Sequence, residues 1–210
     1  MRTKTLVCAA ILAAGLASSM AQSNVYSLNV VGYYNVVIPG GTKVMVANQL
    51  NTTNNTLAGV LPGPYADGTI FFNFTGGFAA SPWDTDANAW SDGSFDLSVG
   101  NGGFLLSGAL QTFTFVGEVP QGSITNKPLV NNQKRIRGYP VPVPIFLSQM
   151  GINGEDGDIA FQFHGGYSAS PYDTDASEWS VDFSNQVGEA LFILKGAHTG
   201  TNWVVNFTVQ

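Results

Sequence analysis

Apolar and polar residues alternate along this chain in short runs broken by Gly, Pro and Asn, which is the period-two signature of strands. The longest run, residues 25–38 (VYSLNVVGYYNVVI), carries no charge and stops at Pro39, Gly40 and Gly41. Residues 43–50 read as a second strand. Residues 56–61 read as one helical turn with Asn54 or Asn55 as its cap. Ile70, Phe72 and Phe74 then place three large apolar groups on one face of a strand, and the pattern predicts that face to be core. Gly76 and Gly77 make a hairpin turn, from which residues 78–83 return. Further strands are expected at 95–99, 104–106 and 112–119, then a polar connector at 131–138, extended chain at 139–144 and a short turn at 146–150. A last strand covers 202–210.

The chain writes its central stretch twice. Residues 67–90 and 156–179 align without a gap at an offset of 89, with 15 identities in 24 positions. Residues 100–109 and 188–197 extend the match with one residue of slip. A strand of similar character closes each unit, near 112–119 and 202–209, and a third copy precedes them at 31–38. That extra N-terminal strand either pairs with the last strand and closes the molecule or leaves an unpaired edge. The resulting division is a leader at 1–21, the N-terminal strand at 22–41, a first β unit at 42–119 and a second at 120–210.

Composition narrows the setting. Arg2 and Lys4 precede an apolar stretch at 6–16, and Ser19, Met20 and Ala21 offer small residues at a cleavage site, the pattern of a secretory signal peptide. The apolar stretch is too short to span a bilayer, which takes about 20 residues. Cleavage would leave no membrane insertion and would remove Cys8, the single cysteine, so no disulfide is expected. It would also leave six Lys and Arg against fourteen Asp and Glu, a formal net charge of −8. An acidic chain argues against nucleic acid as a partner. The expected location is secreted, at the cell surface or outside it, with the periplasm as the alternative.

Four segments carry a family resemblance: VYSLNVVGY at 25–33, the DG…GG-[FY] hairpins, FVGEVPQG at 115–122 and NFTV at 206–209. In them the chain resembles a group of uncharacterised secreted bacterial β-repeat proteins. The resemblance implies export and a repeated β fold, and it assigns no functional residues.

Two candidate sites stand out. Asp84, Asp86 and Asn88, and in the second copy Asp173, Asp175 and Ser177, place oxygen side chains at alternate positions, as calcium-binding loops do. The glycine and glutamate that complete a helix–loop–helix calcium site are missing, and the competing reading is that these side chains fix a turn by accepting backbone N–H groups. Calcium is the one cofactor the sequence suggests. Beside these loops lie Phe78, Trp83 and Trp90, and Tyr167, Tyr172 and Trp179. Aromatic faces flanked by carboxylates and amides suit a glycan, with Trp83, Trp90, Tyr172 and Trp179 as the platform. The competing reading is core.

Catalysis finds little support. His164 and His198 are the only histidines, and no nucleophile motif or zinc spacing is present. Asp84 with Asp92 or Asp96 is the one pair a glycoside-acting enzyme would use. Lys134, Arg135 and Arg137 stand alone in an acidic chain, either meeting an acidic neighbouring surface or solvated in a connector. The sequence therefore predicts an all-β fold of two tandem antiparallel, sandwich-like units with at most two helical turns. The leading functional expectation is a non-enzymatic surface protein acting by self-assembly or adhesion, in which the N-terminal strand adds to a neighbour. A calcium- or carbohydrate-binding module is the alternative.

Overall fold

The computed structural model describes residues 30–125, 129–196 and 203–209. The leader, residues 25–29 of the first predicted strand, and His198 lie outside them. The protein is all-β and antiparallel, with one helical turn and one 3-10 turn among the described residues.

The first half contains β1 (Val31–Ile38), β2 (Lys43–Ala47), α1 (Leu57–Val60), β3 (Ile70–Phe74), β4 (Phe78–Asp84), β5 (Ala89–Trp90), β6 (Gly102–Leu106) and β7 (Gln111–Glu118). The second contains β8 (Gly122–Thr125), β9 (Lys134–Arg137), β10 (Ile145–Phe146), a 3-10 turn (Leu147–Gln149), β11 (Ile159–Phe163), β12 (Tyr167–Asp173), β13 (Glu178–Trp179), β14 (Ser184–Asn185), β15 (Leu191–Leu194) and β16 (Val204–Phe207). Each half builds a five-stranded sheet of equivalent order, β2-β6-β3-β4-β5 and β9-β15-β11-β12-β13. Each also carries a separate two-stranded ribbon, β1-β7 and β8-β16. The hairpins share one register, Phe74 opposite Phe78 and Phe163 opposite Tyr167.

In the first half the ribbon covers one face of the sheet in a sandwich-like arrangement. Tyr34, Ile38, Phe113 and Phe115 of the ribbon pack with Val46, Phe71 and Leu105 of the sheet. Alternation explains which residues turn inward. Along β1, Tyr34 and Ile38 are buried while Val31, Tyr33 and Val37 are exposed. The other faces of the two sheets meet across a seam of Met45, Ala47, Phe104, Ile136, Ala190 and Phe192. These pair off as repeat equivalents, Phe104 with Phe192 and Met45 with Ile136, so the seam has the self-complementary character of a two-fold dimer interface.

Backbone closes the seam. The Ala47 N–H donates to the Gly188 carbonyl at 2.9 Å, and its equivalent, Gly138 N–H, donates to Gly100 at 3.0 Å. Val46 bridges Glu189, and Asn101 bridges Arg137 in the same reciprocal way. Such an approach excludes side chains: a Cβ on Gly138 would lie 2.2 Å from the Ala47 Cβ. Gln49, fully buried, adds a clamp. Its amide donates to the Tyr139 and Val141 carbonyls and accepts from Gly188 N–H at 2.7 Å.

Several sequence expectations need correction. The N-terminal strand pairs with neither the last strand nor nothing: β1 runs antiparallel to β7 from Val31 opposite Glu118 to Ile38 opposite Gln111. Residues 131–138 are not a connector, since they contain β9, which pairs with β15. Lys134 and Arg135 fit there because an edge strand tolerates and often carries charge. The expected strand at 95–99 is irregular chain holding one bridge, Thr56 with Asp96, and β8 pairs with β16 where the sequence pattern predicts no strand. The helical turn is capped by Thr56, whose hydroxyl accepts from Gly59 N–H, and not by Asn54 or Asn55. Phe72 and Phe74 are only partly buried, and it is Phe71, on the opposite face, that fills the core of the first half.

One buried node differs between the halves. In the first, the Gln111 amide donates to the Thr69 and Ser107 hydroxyls at 2.8 and 2.7 Å. In the second, the equivalents of Thr69 and Ser107 are Asp158 and Lys195, a buried ion pair. Asp158 is further satisfied by the Glu155 and Gly196 N–H groups at 2.9 and 2.8 Å.

Two predictions follow from this packing. Gly138→Ala forces the seam apart and should destabilise the protein by about 1–3 kcal/mol, as overpacking does, read as a lower melting temperature. Lys195→Met leaves the Asp158 carboxylate buried without its counter-charge, at a cost of about 3–5 kcal/mol. The double change Asp158→Thr with Lys195→Ser removes both charges together and should recover part of that loss in the same thermal melt.

Candidate functional site

The Asp loops are turns. Asp84 Oδ1 accepts the N–H groups of Asp86 and Ala87, both at 2.9 Å, and Asp173 Oδ1 accepts those of Asp175 and Ala176 at 2.9 and 3.1 Å. Asn88 and Ser177 follow at φ of 50° and 58°, which closes each loop through a left-handed residue. The side chains of both loops are exposed. Among the described residues, no three His, Cys, Asp or Glu side chains gather as a metal-holding group. The other acidic candidates cap turns of their own. Asp92 accepts from Ser94 N–H and hydroxyl, and those bonds, hydroxyl first, hold its carboxyl below the usual range. Asp96 accepts from Ser98 N–H and hydroxyl.

The predicted aromatic platform is corrected by burial. Trp83, Trp90 and Trp179 are core residues. Trp83 and Trp90 meet edge-on at 5.3 Å, Tyr172 and Trp179 do the same, and the Trp90 indole N–H donates to the Leu61 carbonyl at 2.7 Å. Tyr172 is half-buried against Trp179. The three indoles are covered by their neighbours and offer no flat surface to solvent.

What the fold does expose is the other end of the same hairpins. Phe78 and Tyr167, equivalent positions at the starts of β4 and β12, are 56% and 55% exposed. They stand at the mouth of the seam, where the two sheets diverge. Phe78 packs on Phe74 at 4.9 Å and on Phe104 at 5.8 Å. Tyr167 packs on Phe163 at 5.1 Å and on Phe192 at 6.0 Å. Phe104 and Phe192 join the two groups at 5.8 Å. The result is a continuous aromatic strip drawn from both halves.

A lysine from each half lies over rings of this cluster. Lys43 Nζ sits 4.9 Å over the Phe104 ring, and Lys134 Nζ sits 4.8 Å over Phe161. Phe74, Phe78, Lys134, Phe161, Tyr167 and Phe192 line a trough of about 310 Å³. A neighbouring hollow of about 330 Å³ holds Lys43, Phe163, His164 and Glu189. His164 lies in the hairpin turn, with Nε2 2.6 Å from Glu189 Oε1. Glu189 Oε1 also accepts from the Gln162 amide.

Strand parity was the signal that could have separated the two aromatic sets. Phe78 and Trp83 lie five residues apart on one strand and so face opposite sides. The contribution of Phe192 and of the lysines has no local signal, because they arrive from other strands. The chain matches no family model, no curated protein and no solved structure.

Proposed function

We propose that this is an exported, non-enzymatic surface protein that adheres through the aromatic strip to an extracellular polysaccharide. One observation carries the reading, the half-exposed pair Phe78 and Tyr167 in an aromatic strip with an ammonium group from each half over its rings. A contiguous exposed aromatic surface is disfavoured unless something covers it. Sugar rings present apolar C–H faces that stack on such rings, while the lysines hydrogen-bond hydroxyls or pair with acidic substituents. The strip draws equivalent residues from both halves, which suits a chain-like ligand whose successive units present the same chemistry. The signal-like leader supports export.

A second reading, self-assembly, is favoured by the outer face of the β1-β7 ribbon. Val31, Tyr33, Val37 and Val116 are all more than half exposed there. Association would use this face or the ribbon's edges. Deleting residues 22–41 would not test it, because β1 covers the core of its own half.

The strip is tested by affinity electrophoresis and calorimetry of the mature protein against a panel of neutral and acidic polysaccharides. At least one should bind, and Phe78→Ala with Tyr167→Ala should weaken it about tenfold or more while the protein still melts cooperatively from a folded state. Absence of binding across the panel overturns the reading. Light scattering of the wild type against Tyr33→Ser with Val37→Thr checks self-assembly, which predicts an oligomer that the substitutions dissociate. A wild-type monomer at high concentration rules it out.

A further inference from the structure

The seam's pseudo-symmetry places two equivalent crevices on either side of it, and they have diverged in charge. On one side the bridge pairs Val46 with Glu189. The Glu189 carboxylate there is fully engaged, accepting from Gln162 and from Gln186 N–H and contacting His164. On the other side the equivalent bridge pairs Arg137 with Asn101. The guanidinium replaces Val46 and an amide replaces the carboxylate, so at the bridge itself a cation is gained and a carboxylate is lost.

Arg137 is only 9% exposed, and its Nε has no hydrogen-bond partner. Its Nη1 donates to the carbonyl of its own chain neighbour, Ile136. Of the buried side-chain atoms left without a partner among the described residues, Arg137 Nε is the only donor. An unmet buried donor is costly, about 1–3 kcal/mol and more for a charged group; Asn101 Oδ1, itself without a partner, and Asp96 line the same crevice, and neither accepts from Arg137 Nε. Burial, and after it the charge of Arg135, push the Arg137 guanidinium down to about 10, which still leaves it a cation at neutral pH.

The space beside it is larger than a bridging water needs. Asn73, Thr75, Asp96, Asn101, Arg135 and Arg137 line a crevice of about 160 Å³, against about 30 Å³ for one water. Asp96 brings a negative charge to its wall, and its Oδ1 is engaged by Ser98. Arg135, at the same wall, adds a second guanidinium.

We infer that this crevice is an anion site that takes a carboxylate, with Arg137 as the buried donor and Arg135 as the outer one. Arginine suits the role because its planar fork matches the two oxygens of a carboxylate. Two sources carry that chemistry, a free small acid and a uronic sugar. Phe74 lines both this crevice and the aromatic trough, so a sugar-borne group would place the two sites along one ligand. The inference does not depend on the polysaccharide reading, since a free acid would satisfy it.

The test is nitrogen–proton correlation NMR of the arginine Nε–Hε groups in the mature protein, titrated separately with acetate, galacturonate and galactose at constant ionic strength. The Arg137 signal should shift saturably with acetate, galacturonate or both, and not with galactose. Saturation by galacturonate at lower concentration than acetate identifies the sugar-borne source, and the reverse order identifies the free acid. Arg137→Gln should abolish saturable binding in calorimetry, whereas Arg135→Gln should weaken it several-fold. No saturable shift, an equal response to galactose, or a linear drift shared by every arginine signal overturns the inference. The wild-type titration decides even where Arg137→Gln does not fold.

Discussion

The structure depends on the backbone approach at the seam. Ala47 and Gly138 occupy equivalent positions and face each other with no room for a further carbon on the glycine. Their N–H groups reach across to Gly188 and Gly100, so each half closes backbone hydrogen bonds with the other. That contact holds the two sheets together across Met45, Ala47, Phe104, Ile136, Ala190 and Phe192. It thereby decides that Phe104 and Phe192 are buried while Phe78 and Tyr167 stand half in solvent. The trough, the aromatic strip and the Arg137 crevice all follow from this one junction.

Duplication explains why the molecule holds such a junction, and divergence explains why its two sides differ. A repeated unit that leaves one sheet face apolar can bury it against its own copy. Once that contact exists, each seam residue has two equivalents free to change independently. Thr69 and Ser107 answer to Asp158 and Lys195, a neutral node against an ion pair. Asn101 answers to Glu189, and Val46 to Arg137. A buried ion pair is a costly substitute for hydroxyls, because two charges lose their hydration. Asp158 offsets this with two backbone N–H bonds in addition to the lysine.

Both faces of the central sheets are covered in part, one by the ribbon and one by the other half. Alternation identifies a core face most clearly when the opposite face is wet. Along β3, Ile70, Phe72 and Phe74 look like the core set, yet Phe71 is the fully buried residue. The same two-sided covering places Trp83 inside and Phe78 at the rim, although both are large aromatics on one strand. Composition alone treats them as a single set.

By itself the sequence determined the fold class, the repeat and its hairpin turns, and it offered turn fixing as one of two readings of the Asp loops. The paired glycines made the turns, and Asp84 and Asp173 held the loops through bonds two and three residues away. These features are local, so residue type and spacing suffice to specify them. Tertiary structure alone decided the partner of β1, the conversion of a basic stretch into the edge strand β9, and the division of the aromatics between core and trough. Each of these is set by strands far apart in the chain, and pairing energy between them depends on surfaces that no single segment carries.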